Sequence, residues 1–256
     1  MFSRWRTALT PLALMVAIAL PIDTAMARNP HQLKVPESPG STSLASEPAM
    51  AAALPPGQAP SGTARRLADW AAVTNDNGDL PFLIVDKVHA RIFAFDASGL
   101  FLGSAPILIG LSRGDDSAAG VGELKLAEIS ADQRITPAGR FLAAFGASMG
   151  HGLVFWVDRR DGIALHPVMS VNAGERRLER IQSSDPAQHR ISYGCINVPT
   201  SFYQKILLTA LVQGEAVVYV LPDTKSVDEV FPNFAASASN NRRGDQLSSA
   251  ERYVER

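Results

Sequence analysis

Phe82-Leu83-Ile84-Val85-Asp86, a polar turn from Lys87 to Ala90, and Arg91-Ile92-Phe93-Ala94-Phe95-Asp96 form the stretch from which the fold is read. Two apolar runs of strand length, rich in β-branched and aromatic residues and separated by a short polar break, spell a hairpin rather than a helix. Downstream the pattern repeats. Ala97-Ser98-Gly99 turns into a third strand region from Leu100 to Gly110, and Thr136-Pro137-Ala138-Gly139-Arg140-Phe141 is a tight turn feeding a strand. Leu153–Val157 and Gly162–His166 form another hairpin around Asp158-Arg159-Arg160-Asp161, and Glu215–Val220 is the last strand, ended by Pro222. The expectation is a mainly β domain of hairpin-linked antiparallel strands. The Gly, Asp and Ser cluster from Gly110 to Gly122 reads as a loop without a phosphate-cradling motif.

Around this core the composition changes. Arg4 and Arg6 precede a mostly apolar segment reaching Leu20, and Ala25-Met26-Ala27 places small residues where a signal peptidase reads, so 1–27 is expected to be a secretory signal peptide cleaved after Ala27. Residues 28–63 are rich in Pro, Ala and Ser and cannot bury enough apolar surface to fold, which suits a disordered spacer. Within 64–79, Leu67, Trp70 and Ala71 lie at helical spacing before the breaker Asn75-Asp76-Asn77-Gly78-Asp79. One ordered domain is expected over 80–222 and a disordered tail over 223–256. A chain of 256 residues with net charge −1 and 46% hydrophobic content fits a globular protein and argues against a nucleic-acid partner. The export signal predicts a periplasmic protein that has no membrane association after cleavage.

The chain holds one cysteine, Cys195, within Ser192-Tyr193-Gly194-Cys195-Ile196-Asn197. A lone cysteine in an exported protein is a buried apolar filler, an intermolecular link or a reactive thiol. Gly194 lets the backbone turn tightly, and Phe202, Ile206, Leu207, Ala210 and Leu211 follow at helical spacing. A thiol in a turn just before a helix lies near the helix's positive end, where the thiolate is favoured and backbone N–H groups can face an oxyanion.

A cysteine nucleophile needs a base or cation, usually a histidine. His31 falls in the spacer, His89 in a turn, and His151 beside Gly150 and Gly152 reads as a loop residue lining the domain. His166, at the end of an apolar strand, is the favoured candidate, and His189 can reach Cys195 only if its loop folds back. No pair of histidines or thiols has metal-ligand spacing, no Gly-x-Ser-x-Gly elbow is present, and neither cofactor nor metal is expected.

Four blocks in order, Phe82–Asp86 with Arg91–Asp96, Ile135–Phe141, Gly162–His166 and Ser192–Asn197, resemble the L,D-transpeptidase catalytic domain family of YkuD-like fold. The resemblance implies a β-sandwich or barrel with a short helix after the cysteine loop. It implies peptidoglycan stem peptides as partners and a thiolate attack on residue three of a tetrapeptide. D-alanine is then released and a thioester acyl-enzyme passed to an amine acceptor. It makes Cys195 the nucleophile and His166 the general base, with Gly194 and the Cys195 N–H lining an oxyanion hole. Ser192 and Asn197 would shape the loop. This chain is a variant of the family pattern, because Tyr193 stands where a histidine usually precedes Gly-Cys, Pro167 follows His166, and residues 168–191 form a longer insert. Arg176, Arg177, Glu179 and Arg180 of that insert either cap the cleft and meet substrate carboxylates or form a solvated helix face. Two further outcomes share this site: water resolves the acyl-enzyme, giving a carboxypeptidase or amidase, or the site binds wall peptide without turnover.

Overall fold

β1 (Phe82–Asp86) is buried along its whole length, and the reason its sequence runs continuously apolar is that it separates two cores. Leu83 and Val85 point into one, with Ile92, Phe155, Leu165, Ile196 and Val218. Phe82 and Ile84 point into the other, with Phe93, Phe95, Tyr219, Phe231 and Phe234. That second core is roofed by α1 (Gly62–Thr74), which buries Ala64, Leu67, Ala68 and Ala71 and half-buries Trp70. Ser61 caps its first turn, its Oγ accepting from the Ala64 N–H, and Asn75 ends it in the left-handed conformation.

The computed structural model describes residues 59–211 and 214–237. The expected signal peptide, nearly all of the expected spacer and the chain beyond residue 237 lie outside the described residues. The remaining strands are β2 (Arg91–Phe95), β3 (Phe101–Pro106), β4 (Ile109–Gly110), β5 (Gly139–Ser148), β6 (Gly152–Asp158), β7 (Ile163–Pro167), β8 (Arg190–Ser192), β9 (Ile196–Val198) and β10 (Glu215–Val220). Eight of them form one sheet in the order β3-β2-β1-β10-β5-β6-β7-β9, and β4 pairs with β8. The hairpin pairs are antiparallel as the sequence implied, whereas β1–β10 and β7–β9 are parallel and join strands distant in sequence.

The two ends of the sheet meet. Just past β3, the Leu108 N–H donates to the Asn197 carbonyl of β9 at 2.9 Å, and the Asn197 N–H returns a bond to the Leu108 carbonyl at 2.8 Å. The mainly β fold is therefore a nearly closed, barrel-like sheet with few helices. No described helix is long and apolar enough to cross a membrane.

Two expectations are corrected. The tail was expected to be disordered from residue 223, yet Asp223–Lys225 close on Asp115, a capped helix runs over Val227–Val230, and Phe231 and Phe234 are buried in the second core. The low apolar content of 238–249 hid the two aromatic anchors just before it. The thiol was expected in a turn immediately before a helix, but β9 intervenes, and helical structure starts only at Thr200, continuing through a π-helical turn at Tyr203–Leu207. The helical N-terminus is thus five residues beyond Cys195 rather than beside it in the chain.

Candidate active site

The cysteine turn is held from three sides by its own neighbours. The Ser192 hydroxyl donates to the Cys195 carbonyl at 2.6 Å and accepts the Gly194 N–H at 3.1 Å. The Thr136 hydroxyl donates to the Gly194 carbonyl at 2.8 Å while accepting the Gly110 N–H at 2.8 Å. Gly194 has φ +124°, and a Cβ there would fall 2.7 Å from Ile163 Cδ1 and 2.8 Å from the Ile135 carbonyl oxygen, so only glycine fits. Ser192 thus shapes the loop, and the N–H of Gly194, expected to face an oxyanion, is engaged by Ser192. Tyr193 lies under the Arg134 guanidinium, 3.9 Å from carbon to ring centroid, a cation–π packing that fixes the side chain against the loop before β5.

Cys195 is partly buried, its Sγ 3.6 Å from the Gly162 carbonyl oxygen. Burial pushes the thiol pKa above its ordinary value, while a hydrogen bond from the Ala164 backbone and the field of Arg177 act the other way.

His166 is buried at 5% exposure, on β7 and in register with Asn197 of β9. Its Nδ1 is 2.9 Å from the Pro167 carbonyl oxygen, and its Nε2 is 3.0 Å from Asn197 Nδ2. The carbonyl of the very residue that lacks an N–H orients the ring. Burial is the main reason the His166 pKa falls to about 4; His151 and Arg177 push the same way, and the Pro167 hydrogen bond opposes them. Both ring nitrogens are occupied, and neither is hydrogen-bonded to Cys195. The structure brings the candidate base onto the strand neighbouring the thiol but bonds it to Asn197.

Two residues already named in the sequence, one in the insert and one in a loop, join this group. Arg177, half-hidden in the insert at 13% side-chain exposure, donates through Nη1 to Asn197 Oδ1 at 2.7 Å and through Nε to Glu175. Its neighbour Arg176 instead pairs with Glu179 on the exposed side, so the insert supplies both the inward and the solvated reading. Arg176 is the left-handed cap just before the helical turn Arg177–Arg180, so the two arginines do not share one helical face. His151, at the β5–β6 turn, places its ring centroid 4.7 Å from that of His166. Antiparallel pairing of β6 with β7 carries that turn to the His166 end of β7, a contact the hairpin pattern contained. His189 is excluded from this group: it is buried, with Nδ1 2.6 Å from the Ile107 carbonyl and Nε2 3.0 Å from the Ser183 carbonyl, bracing the insert. Among the described residues no group of three or more His, Cys, Asp or Glu could hold a metal.

No protein-family model and no curated protein matches the chain. Similar solved structures include the catalytic domain of an Enterococcus faecium L,D-transpeptidase, at 17% identity over 56% of this chain and 97% of that one, TM-score 0.34. An L,D-transpeptidase from Stackebrandtia nassauensis is 16% identical over 56% of each chain, TM-score 0.33. The helical cell shape determining protein Pgp2 of Campylobacter jejuni is 13% identical over 62% of this chain and 57% of that one, TM-score 0.36. This chain spans nearly all of the first and under two thirds of the other two. Likenesses of this size leave the chemistry to be argued from the residues themselves.

Proposed function

We propose that the protein is an exported, periplasmic, cysteine-dependent L,D-transpeptidase acting on peptidoglycan stem tetrapeptides. The observation that carries the reading is the placement of the chain's single cysteine, in a turn pinned by Ser192 and Thr136, beside a strand bearing a buried histidine. Cys195 is the nucleophile. Its proton passes to His166 Nε2 once Asn197 yields that position, and the sulfur then bonds to the carbonyl carbon of residue three. The Cys195 N–H faces the developing oxyanion, since Ser192 holds that of Gly194. Collapse breaks the peptide bond to D-alanine, whose nitrogen takes the proton from His166, leaving a thioester. An acceptor amine attacks the thioester, gives its proton to His166 and expels the thiolate. Arg177, a cation beside Asn197, suits the carboxylates of such a peptide.

The test is incubation of the mature protein with purified tetrapeptide-rich wall and mass analysis of the products. Cross-linked or acceptor-exchanged peptide with loss of D-alanine is expected, and none with Cys195→Ala; turnover retained by that variant rejects the assignment. The capped Nε2 of His166 and the raised thiol pKa favour a second reading, a site that binds wall peptide without turning it over. In the same experiment that reading shows as retention of tetrapeptide with no product mass.

A further inference from the structure

The hydrogen bonds around His166 can run in only one direction. A guanidinium has donors and no acceptor, so the Asn197 atom 2.7 Å from Arg177 Nη1 must be its carbonyl oxygen. That turns the Asn197 amide nitrogen toward His166, 3.0 Å from Nε2. An amide nitrogen only donates, so Nε2 must present its lone pair. The ring proton then sits on Nδ1, facing the Pro167 carbonyl at 2.9 Å. Glu175 accepts from Nε of Arg177 and holds the guanidinium in this pose.

We infer that Arg177 is a positioning residue for His166: acting through Asn197, it locks the imidazole in its neutral form with Nε2 as acceptor. The inference rests on reading His166 as the base of the proposed reaction and adds what controls it. For His166 to carry a second proton, on Nε2, the Asn197 amide must turn over and present Oδ1, and that costs the bond to Arg177. Proton acceptance by His166 and the Arg177–Asn197 bond are mutually exclusive. The ionisable groups facing this histidine are His151 from the β5–β6 turn, Arg177 with Glu175 from the insert, and Cys195 ahead of β9. The first two oppose charge on the ring, and the amide lock acts in addition to them.

The lock is tested without turnover by long-range 1H–15N NMR of the histidine rings in the full mature chain, with His166 assigned by its loss in His166→Gln. The wild-type ring is expected as the Nδ1–H tautomer, neutral from pH 7 to pH 5. Arg177→Met raises its titration midpoint by one pH unit or more. Asn197→Ala raises it too, although the Arg177 charge remains, and the double variant shifts it no further than the larger single shift. Arg177→Lys, still a donor without an acceptor, restores the wild-type tautomer and midpoint. A midpoint unchanged in Asn197→Ala overturns the lock, because burial and the fields of His151 and Arg177 would then account for the neutral ring. Should Arg177→Met fail to fold, the uncharged, near-isosteric Asn197→Leu reads the same device: it removes the amide donor without adding a charge beside the ring, so the midpoint must rise, and an unchanged midpoint overturns it. Failure of the proposed reaction would show instead as absent product with the tautomer intact.

Discussion

His166 gives the clearest consequence at the scale of one residue. Its pKa is lowered from the ordinary 6.5 to about 4, so as pH falls the unfolded chain takes up the proton first. Stability from this group is therefore fully present above about pH 6.5, is lost as pH falls toward 4, and changes no further below it. The separation corresponds to about 3 kcal/mol. Urea unfolding of wild type and His166→Gln across this window is expected to show the wild type losing that much more on acidification; parallel curves would mean that the ring is not held neutral. The candidate thiol stood out in the sequence because it is the chain's one cysteine and lies beside a glycine. Its environment was not legible, since the Sγ contact to Gly162 and the Ala164 hydrogen bond come from the parallel β7–β9 pairing, and nothing local announces a parallel pair.

Elements were legible where their periodicity is local. β1, β2, β6, β7 and β10 follow from apolar runs and turns, and α1 from the spacing of Leu67 and Ala71. The ordered end of the chain was missed because a helix of only Val227–Val230 carries too few residues for a period. What orders it is tertiary. Phe234 packs edge-on to Trp70 with ring centroids 5.7 Å apart, Phe231 lies against Tyr219 at 6.2 Å, and Trp70 Nε1 donates to the Ser237 hydroxyl. Phe234→Ala is expected to destabilise the protein by about 3 kcal/mol, since it empties a buried aromatic site. The shift is read from the urea midpoint followed by tryptophan fluorescence; a change under about 0.5 kcal/mol would show that residues 231–237 contribute little to the fold.

At the scale of the whole molecule, a buried ionic cluster joins segments that the strand pattern leaves separate. Lys87, fully buried in the turn that reads as polar, donates to the Gly114 carbonyl, to Asp115 at 2.8 Å and to the Thr136 carbonyl. Burial lowers its pKa despite these partners. Asp115 accepts as well from the backbone of Asp223, Thr224 and Lys225, and Asp223 takes both arms of its carboxylate to Arg190. Desolvation opposes its charge, but these donors hold the Asp115 pKa well below the carboxylate range. Lys87→Met is expected to cost about 3 kcal/mol, because it strands two carbonyls and part of a buried carboxylate. A lowered denaturation midpoint with an unchanged m-value is the measurement, and an unaltered midpoint rejects the role. The meeting of the two sheet ends has a different kind of consequence. Asn197 pairs its backbone with Leu108 and its side chain with His166 and Arg177, so one residue serves both the seam of the barrel and the candidate site. Local opening that parts Leu108 from Asn197 also disarranges the histidine, so the candidate site can come apart through partial unzipping long before the cores melt.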